Sequence, residues 1–307
     1  MTAFVHRIAR QERVLSPWLR EALFGYLCLV PWIVGFLVFT AGPMFASLGF
    51  SLFRTDFLNT ARFIGLKWYE DILFTDRLAT KALVNTAYYA FAMVPLSTAL
   101  ALGIAVLLNQ GIKFQGLWRT IYYLPSVVSG VAVSLLWRWL YQPEMGLINS
   151  LLANVGIKGP RWIYSETWAM PSLIIMALWG SGGAMLIFLA GLRGIPTSLY
   201  EAAEMDGAGP FRSFWNITLP MLTPTILFNM VMSTIGSFQV FTQAFVLTEG
   251  GPNNATLTMV LYIYRKAFEQ MYFGYGSALA WALFIVVLVF SILALRSSRL
   301  WVFYAGE

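Results

Sequence analysis

Six long apolar stretches constrain this chain more than any other feature. Residues 22–42, 82–109, 121–141, 168–192, 219–248 and 277–296 are nearly free of Asp, Glu, Lys and Arg, and each reaches the ~20 residues that a helix needs to cross a bilayer. In hydrocarbon every backbone N–H and C=O must be bonded inside the protein, which leaves helices as the spanning element for runs that are continuously apolar rather than alternating. The 307 residues are 59% hydrophobic and only 11% charged, against about 25% charged in a soluble domain. The expected fold is therefore all-α: a polytopic membrane protein with six transmembrane helices. The run 219–248 is too long for one upright crossing and is expected to tilt, break or leave the bilayer before its end.

Arg7, Arg10, Arg13 and Arg20 precede the first run in the manner of a secretory signal. That run is longer than the ~7–15 apolar residues of a signal peptide, so it is expected to stay as an anchor. The organisation is then a basic tail, 1–21, a membrane domain, 22–296, and a second tail, 297–307. An even number of spans puts both termini on one side. Arg7, Arg10, Arg13, Arg20, Lys113, Arg119, Arg193, Arg212, Arg296 and Arg299 share that side, and Arg54, Arg62, Lys67, Arg77, Lys81, Arg138, Lys158, Arg161, Arg265 and Lys266 lie on the other. Ten against ten does not orient the chain by number; the denser clustering at span ends favours the termini inside. The net charge of +6 is then a matter of topology and lipid headgroups, not of nucleic acid. Cys28, the one cysteine, reads as a small core residue, and the lone His6 lies in the basic tail, so no metal cluster is expected.

Between the fourth and fifth runs sits a compact polar stretch, Glu201 to Pro224. Ser198 with Glu201 three residues on has the form of a capping box, predicting a helix from about Leu199 to Met205 or Asp206. Gly207 supplies the freedom that a helix C-terminus uses, and Gly209-Pro210 prevents simple continuation. The result is a rod of roughly 12 Å. Leu199, Tyr200, Ala202 and Ala203 are expected to form an apolar side with Glu201, Glu204 and Asp206 around it, a shape suited to a shallow groove on another protein. The plainer alternative is a solvated loop in which Glu201 serves its own backbone.

Glu201-Ala202-Ala203, Asp206-Gly207-Ala208, Phe214, Ile217-Thr218-Leu219-Pro220 and Pro224 together resemble the cytoplasmic coupling loop of the membrane subunits of binding-protein-dependent ABC importers. Tyr123-Leu124-Pro125-Ser126, Gly146-Leu147-Ile148-Asn149, Gly250-Gly251-Pro252 and Gly274-Tyr275-Gly276-Ser277-Ala278 are similar to the carbohydrate branch of that family, which includes glycerol-3-phosphate, lactose and maltose permeases. The resemblance implies the type I importer permease fold and a cytoplasmic loop at 193–218. It places both termini in the cytoplasm of a multi-pass protein of the prokaryotic inner membrane. It assigns Leu199, Glu201, Ala202, Ala203, Asp206, Gly207 and Ala208 to contact with an ATPase. The implied partners are a second homologous permease subunit, two ATP-binding cassette subunits, an extracytoplasmic solute-binding protein and a carbohydrate substrate. ATP and Mg would be used by the partner subunits, with no cofactor in this chain.

The chain has no GxxxxGK[ST] of its own; Gly180-Ser181-Gly182-Gly183 lies mid-span and lacks the Lys. With one histidine, in the tail, no Ser/His/Asp arrangement can be assembled, and an enzyme is not expected. The span interiors are almost without ionisable groups, which argues against an ion-coupled carrier and fits a neutral or weakly charged solute. The candidate solute path is a polar stripe after Pro224. Asn229, Ser233 and Ser237 recur every four residues, Gln239 and Gln243 lie beside them, and Phe238 and Phe241 offer stacking surfaces. Gly180, Ser181 and Gly183 join this set. The same Ser, Asn and Gln would also suit bonds between packed helices. The expected function is a permease subunit of an ATP-driven sugar or oligosaccharide importer. Its alternatives are a stand-alone facilitator or secondary carrier for a small polar solute, or an importer for a polyol or glycerol phosphate.

Overall fold

The computed structural model describes residues 17–55 and 61–303, so residues 1–16 of the basic tail, with His6, lie outside the described residues. The chain divides into two units at Phe50 and Ser51. The first is one long helical rod: α1 (Pro17–Phe36), a π-type turn (Leu37–Ala41) and α2 (Gly42–Phe50). It runs beyond the expected end at residue 42, because the wider turn, closed by Gly42 N–H to the Leu37 carbonyl, absorbs Pro43 with its missing N–H. Its apolar span, Phe24–Phe50, is only 6% buried. Cys28 is accordingly exposed, not in a core, because this rod has almost no inside of its own.

The second unit opens with a small hairpin, β1 (Phe53–Arg54) against β2 (Arg62–Phe63), and the short α3 (Lys67–Glu70). Three helices cross its length: α4 (Arg77–Asn109), α12 (Leu219–Phe238) and α15 (Phe273–Ser297). Between them lie α5 (Gln115–Val127), α6 (Gly130–Leu140), α7 (Leu147–Asn154), α8 (Glu166–Trp179), α9 (Gly182–Arg193), α10 (Thr197–Met205) and α11 (Pro210–Ser213). Two short helices, α13 (Thr242–Thr248) and α14 (Met259–Tyr264), join α12 to α15.

Among the described residues four helical segments are long and apolar enough to cross a membrane, and the number reaches six when each of two bent pairs is counted as one span. The bends divide the third and fourth runs into helix pairs. The third run breaks at Val128-Ser129, where α5 and α6 meet at 98°, and the fourth bends by 47° between α8 and α9. Pro125 removes a donor from the last turn of α5 and Val128 is extended, so the ladder stops there. At the second bend Gly180 and Ser181 tighten into i→i+3 bonds to Ala177 and Leu178. The expected break of the fifth run falls after Phe238.

Small residues let the helices approach. Ala101 and Ala105 of α4 are fully buried against Met185, Phe188 and Leu192 of α9 and Leu222 of α12. A side chain at Gly182 would clash with the Tyr122 carbonyl of α5. At the end of the bundle opposite α10, Asp76 caps α4 by accepting from Leu78 and Ala79 N–H (2.9 and 3.1 Å), and its second oxygen accepts from the hydroxyls of Tyr262 (2.6 Å) and Tyr275 (2.5 Å). Burial opposes ionisation of Asp76, but these four donors hold its carboxyl below the usual carboxylate range. The nearby loop 249–258 is held by α4. Lys81 Nζ donates to the Asn253 carbonyl (2.6 Å) and Asn85 Nδ2 to those of Asn254 and Leu257 (2.9 and 3.1 Å). Thr86 Oγ1 accepts from Met259 N–H just beyond the loop (2.8 Å).

Candidate functional site

Three helix breaks converge on one cavity of about 580 Å³. Val128 and Gly130 flank the first break, Gly180 stands at the second, and Gln239, Val240 and Phe241 form the third; all line the cavity. Broken backbone is tolerated at membrane depth only where protein or a polar cavity satisfies it, and such sites are where transporters bind solutes. The wall is completed by Tyr89, Met93 and Ser97 of α4, Ser126 of α5, Trp179 of α8, Ser233 and Ser237 of α12, and Thr242 and Gln243 of α13. Among the described lining residues none is Asp, Glu, Lys, Arg or His.

Of the residues expected to form a solute path, Ser233, Ser237, Gln239, Gln243, Phe241 and Gly180 meet here. Ser233, Ser237, Gln239 and Gln243 make no side-chain hydrogen bond to any described residue, which leaves hydroxyls and amides available to a guest. Four of the expected residues do not line this cavity. Asn229 is buried away from the cavity and donates to the Thr225 carbonyl of its own helix (3.0 Å). Phe238 is 1% exposed and stacks on Phe290 of α15 at 5.4 Å, because α12 turns its last residue into the core before breaking. Ser181 and Gly183 are half-buried beside the bend but do not line the cavity. Tyr89, Met93 and Ser97 were missed, although their four-residue spacing on α4 marks one helix face.

The second candidate site is α10. The helix begins at Thr197 after Pro196, and no side chain caps it. Ser198 thus lies inside the helix, and the predicted capping box with Glu201 does not form: Pro196 sets the start, with Leu199 N–H reaching its carbonyl at 3.2 Å. The C-terminus behaves as expected. Gly207 has φ +72, Ala208 N–H bonds the Ala203 carbonyl (2.8 Å) and Gly207 N–H that of Glu204 (2.9 Å), which is a Schellman closure. The four apolar residues do not share a face. Tyr200 and Ala203 are half-buried, whereas Leu199 and Ala202 are exposed with Glu201, Met205 and Asp206. The Tyr200 hydroxyl meets Thr218 Oγ1 at 2.9 Å, tying α10 to the turn that starts α12.

An all-α bundle with broken spans around an uncharged cavity, and an exposed helix at the end of one connection, defines a membrane permease. The chain belongs to the family described as the binding-protein-dependent transport system inner membrane component, whose profile matches residues 97–301. It is a transport subunit of the ABC permease type. It is 42% identical over 292 residues to the probable ABC transporter permease protein YesP of Bacillus subtilis, covering 94% of both chains. It is 34% identical to the trehalose/maltose transport system permease protein MalF of Thermococcus litoralis, covering 91% of this chain and 95% of that one. Among solved structures it is similar to a chain of a bacterial ABC transporter involved in the import of the acidic polysaccharide alginate. That match has a TM-score of 0.80 and 25% identity, and covers 91% of this chain and 96% of the other.

Proposed function

We propose that this chain is one half of the membrane pathway of an ATP-driven importer for a sugar or oligosaccharide, with α10 on the cytoplasmic side as the element that an ATPase moves. The observation that carries the coupling role is the build of α10: its backbone is closed from within at the C-terminal end, while Leu199, Glu201, Ala202, Met205 and Asp206 stay open to solvent. A short, self-closed helix with a small-residue surface moves as a unit and seats in a shallow groove. Both termini then lie in the cytoplasm of a prokaryotic cell. A second homologous permease completes the path, two ATP-binding cassette subunits use ATP and Mg, and an extracytoplasmic binding protein delivers the solute. The trehalose/maltose relative and the unbonded hydroxyls and amides of the cavity support a carbohydrate.

Leu199, Glu201, Ala202, Ala203, Asp206, Gly207 and Ala208 are the proposed coupling residues. Ala202→Trp tests them, because Ala202 is exposed and the larger side chain displaces nothing in its own chain. In the complete complex, reconstituted in liposomes, we expect solute-stimulated ATP hydrolysis and uptake to fall at least tenfold with the thermal stability of the isolated chain unchanged. Wild-type coupling in that variant would show that α10 is not the docking element.

A further inference from the structure

A second cavity, of about 650 Å³, lies around Asp76 at the end of the bundle away from α10, within the size range of small-ligand sites. Its wall holds three cations: Arg54 at the end of β1, Arg77 at the start of α4 and Lys266 in the π-type turn Arg265–Glu269. The aromatic part of the wall is fixed from behind. Tyr262 and Tyr275 donate their hydroxyls to Asp76, and Trp68 donates its indole N–H to the Phe53 carbonyl (3.1 Å) while packing edge-on against Tyr275 at 5.1 Å. Lys266 Nζ sits over the Tyr262 and Tyr275 rings, 5.4 and 5.7 Å from their centroids, so this cation is held in place without being neutralised.

The positive charge of the wall is not consumed inside the chain. Among the described residues the side chains of Arg54, Arg77 and Lys266 make no hydrogen bond or ion pair. Asp76 is already occupied by four donors, and Asp71 is the other carboxylate of the wall. Three cations against these two carboxylates leave one positive charge, which the single negative charge of a phosphodiester balances. The cavity also stands where two spans begin: Arg77 opens the span Arg77–Asn109, and Tyr272 immediately precedes the span Phe273–Leu300. Trp and Tyr at that level are the residues of a membrane interface. Leu78 of the wall is exposed, and Phe74, in the turn between the lining residues Asp71 and Thr75, is 83% exposed. A soluble anion leaves these apolar groups bare, whereas a lipid brings hydrocarbon to cover them. We propose that this cavity holds the headgroup phosphate of an anionic phospholipid, with the guanidinium groups of Arg54 and Arg77 and the ammonium of Lys266 as its donors and the acyl chains beside the first turns of α4 and α15. The inference needs only the membrane-spanning fold and stands apart from the sugar reading. A zwitterionic headgroup carries its own cation into a wall that is already positive, and so binds more weakly.

The test is native mass spectrometry of the complete complex, released from detergent after exposure to phosphatidylglycerol and phosphatidylcholine of identical acyl chains. The wild type is expected to retain phosphatidylglycerol at least tenfold better, with one tightly held molecule per copy of this chain. Arg77→Gln combined with Lys266→Gln should lose that molecule and bring the preference below twofold, with an unchanged melting midpoint because neither side chain bonds within the chain. Arg54→Gln alone should reduce the preference about threefold, which keeps the test open if the double variant does not assemble. Arg161→Gln, an exposed cation outside the cavity, should change nothing. Equal retention of the two lipids, an unchanged preference in the double variant, or an equal loss in Arg161→Gln would overturn the site. So would displacement of the lipid by an equal concentration of glycerol phosphate, which would make it a site for a soluble anion. A double variant that keeps its lipid but loses affinity for an extracytoplasmic binding protein would make the cavity a protein contact instead.

Discussion

Two polar interruptions of the apolar sequence, the loop 249–258 and the helix α10, are built in opposite ways. The loop is held from outside itself: Lys81 and Asn85, with Thr86 just beyond, pin its backbone to α4, and Thr256 and Thr258 are fully buried. The helix is completed from within, and the Tyr200–Thr218 contact is its one side-chain hydrogen bond to a neighbouring element among the described residues. The loop is therefore a corner of the fold, unable to shift without breaking buried bonds. The helix is a separate piece with an open outer surface.

Substitutions at the pinned end should be costly and those at α10 cheap. Asp76→Ala, which unties α4 from α14 and α15, is expected to cost on the order of 3 kcal/mol in thermal unfolding of the purified chain. Because its folded pKa is depressed, the contribution of Asp76 is complete above the ordinary carboxylate value of about 4 and is lost as pH falls through the still lower folded value. The gap between wild type and Asp76→Ala should accordingly close only in strong acid. Asn85→Ala removes one bond to the Asn254 carbonyl and the side-chain donor of the Leu257 carbonyl and should cost about 2 kcal/mol, read as faster proteolysis within 249–258.

At α10, Gly207→Ala meets no neighbouring atom but places a Cβ on a backbone at φ +72, so about 1 kcal/mol is expected. Gly207→Asn should cost less. Tyr200→Phe, which loses the hydroxyl contact to Thr218, is expected to cost about 1 kcal/mol or less, with faster amide exchange across α10 as the readout. If it destabilised the chain as much as Asn85→Ala, the contrast between the two regions would be wrong. Ser198→Ala should stay within about 0.5 kcal/mol, since Ser198 caps nothing.

Much of this was legible from residue order. Gly207 announced the helix end because a positive φ is local chemistry, and Ser233, Ser237 and Gln239 stood out because amides and hydroxyls are rare among apolar runs. The capping box misled because Pro196 competes for the same helix start and wins through its restricted backbone. Asn229 and Phe238 stand off the cavity because a stripe read from spacing assumes that the helix keeps one face to it; Asn229 bonds back to the Thr225 carbonyl of α12 itself and Phe238 packs on Phe290 before the helix breaks.

The sequence by itself determined the solvent of this protein, its all-helical spans and the compact polar connection that carries α10. Those follow from the length of apolar runs and from turn chemistry, both local. Only the tertiary structure decided that three separate breaks meet at one cavity and that Asp76 joins elements nearly two hundred residues apart. These depend on how helices pack through small residues such as Gly182 and Ala105, a property of surfaces brought together and not of any one segment.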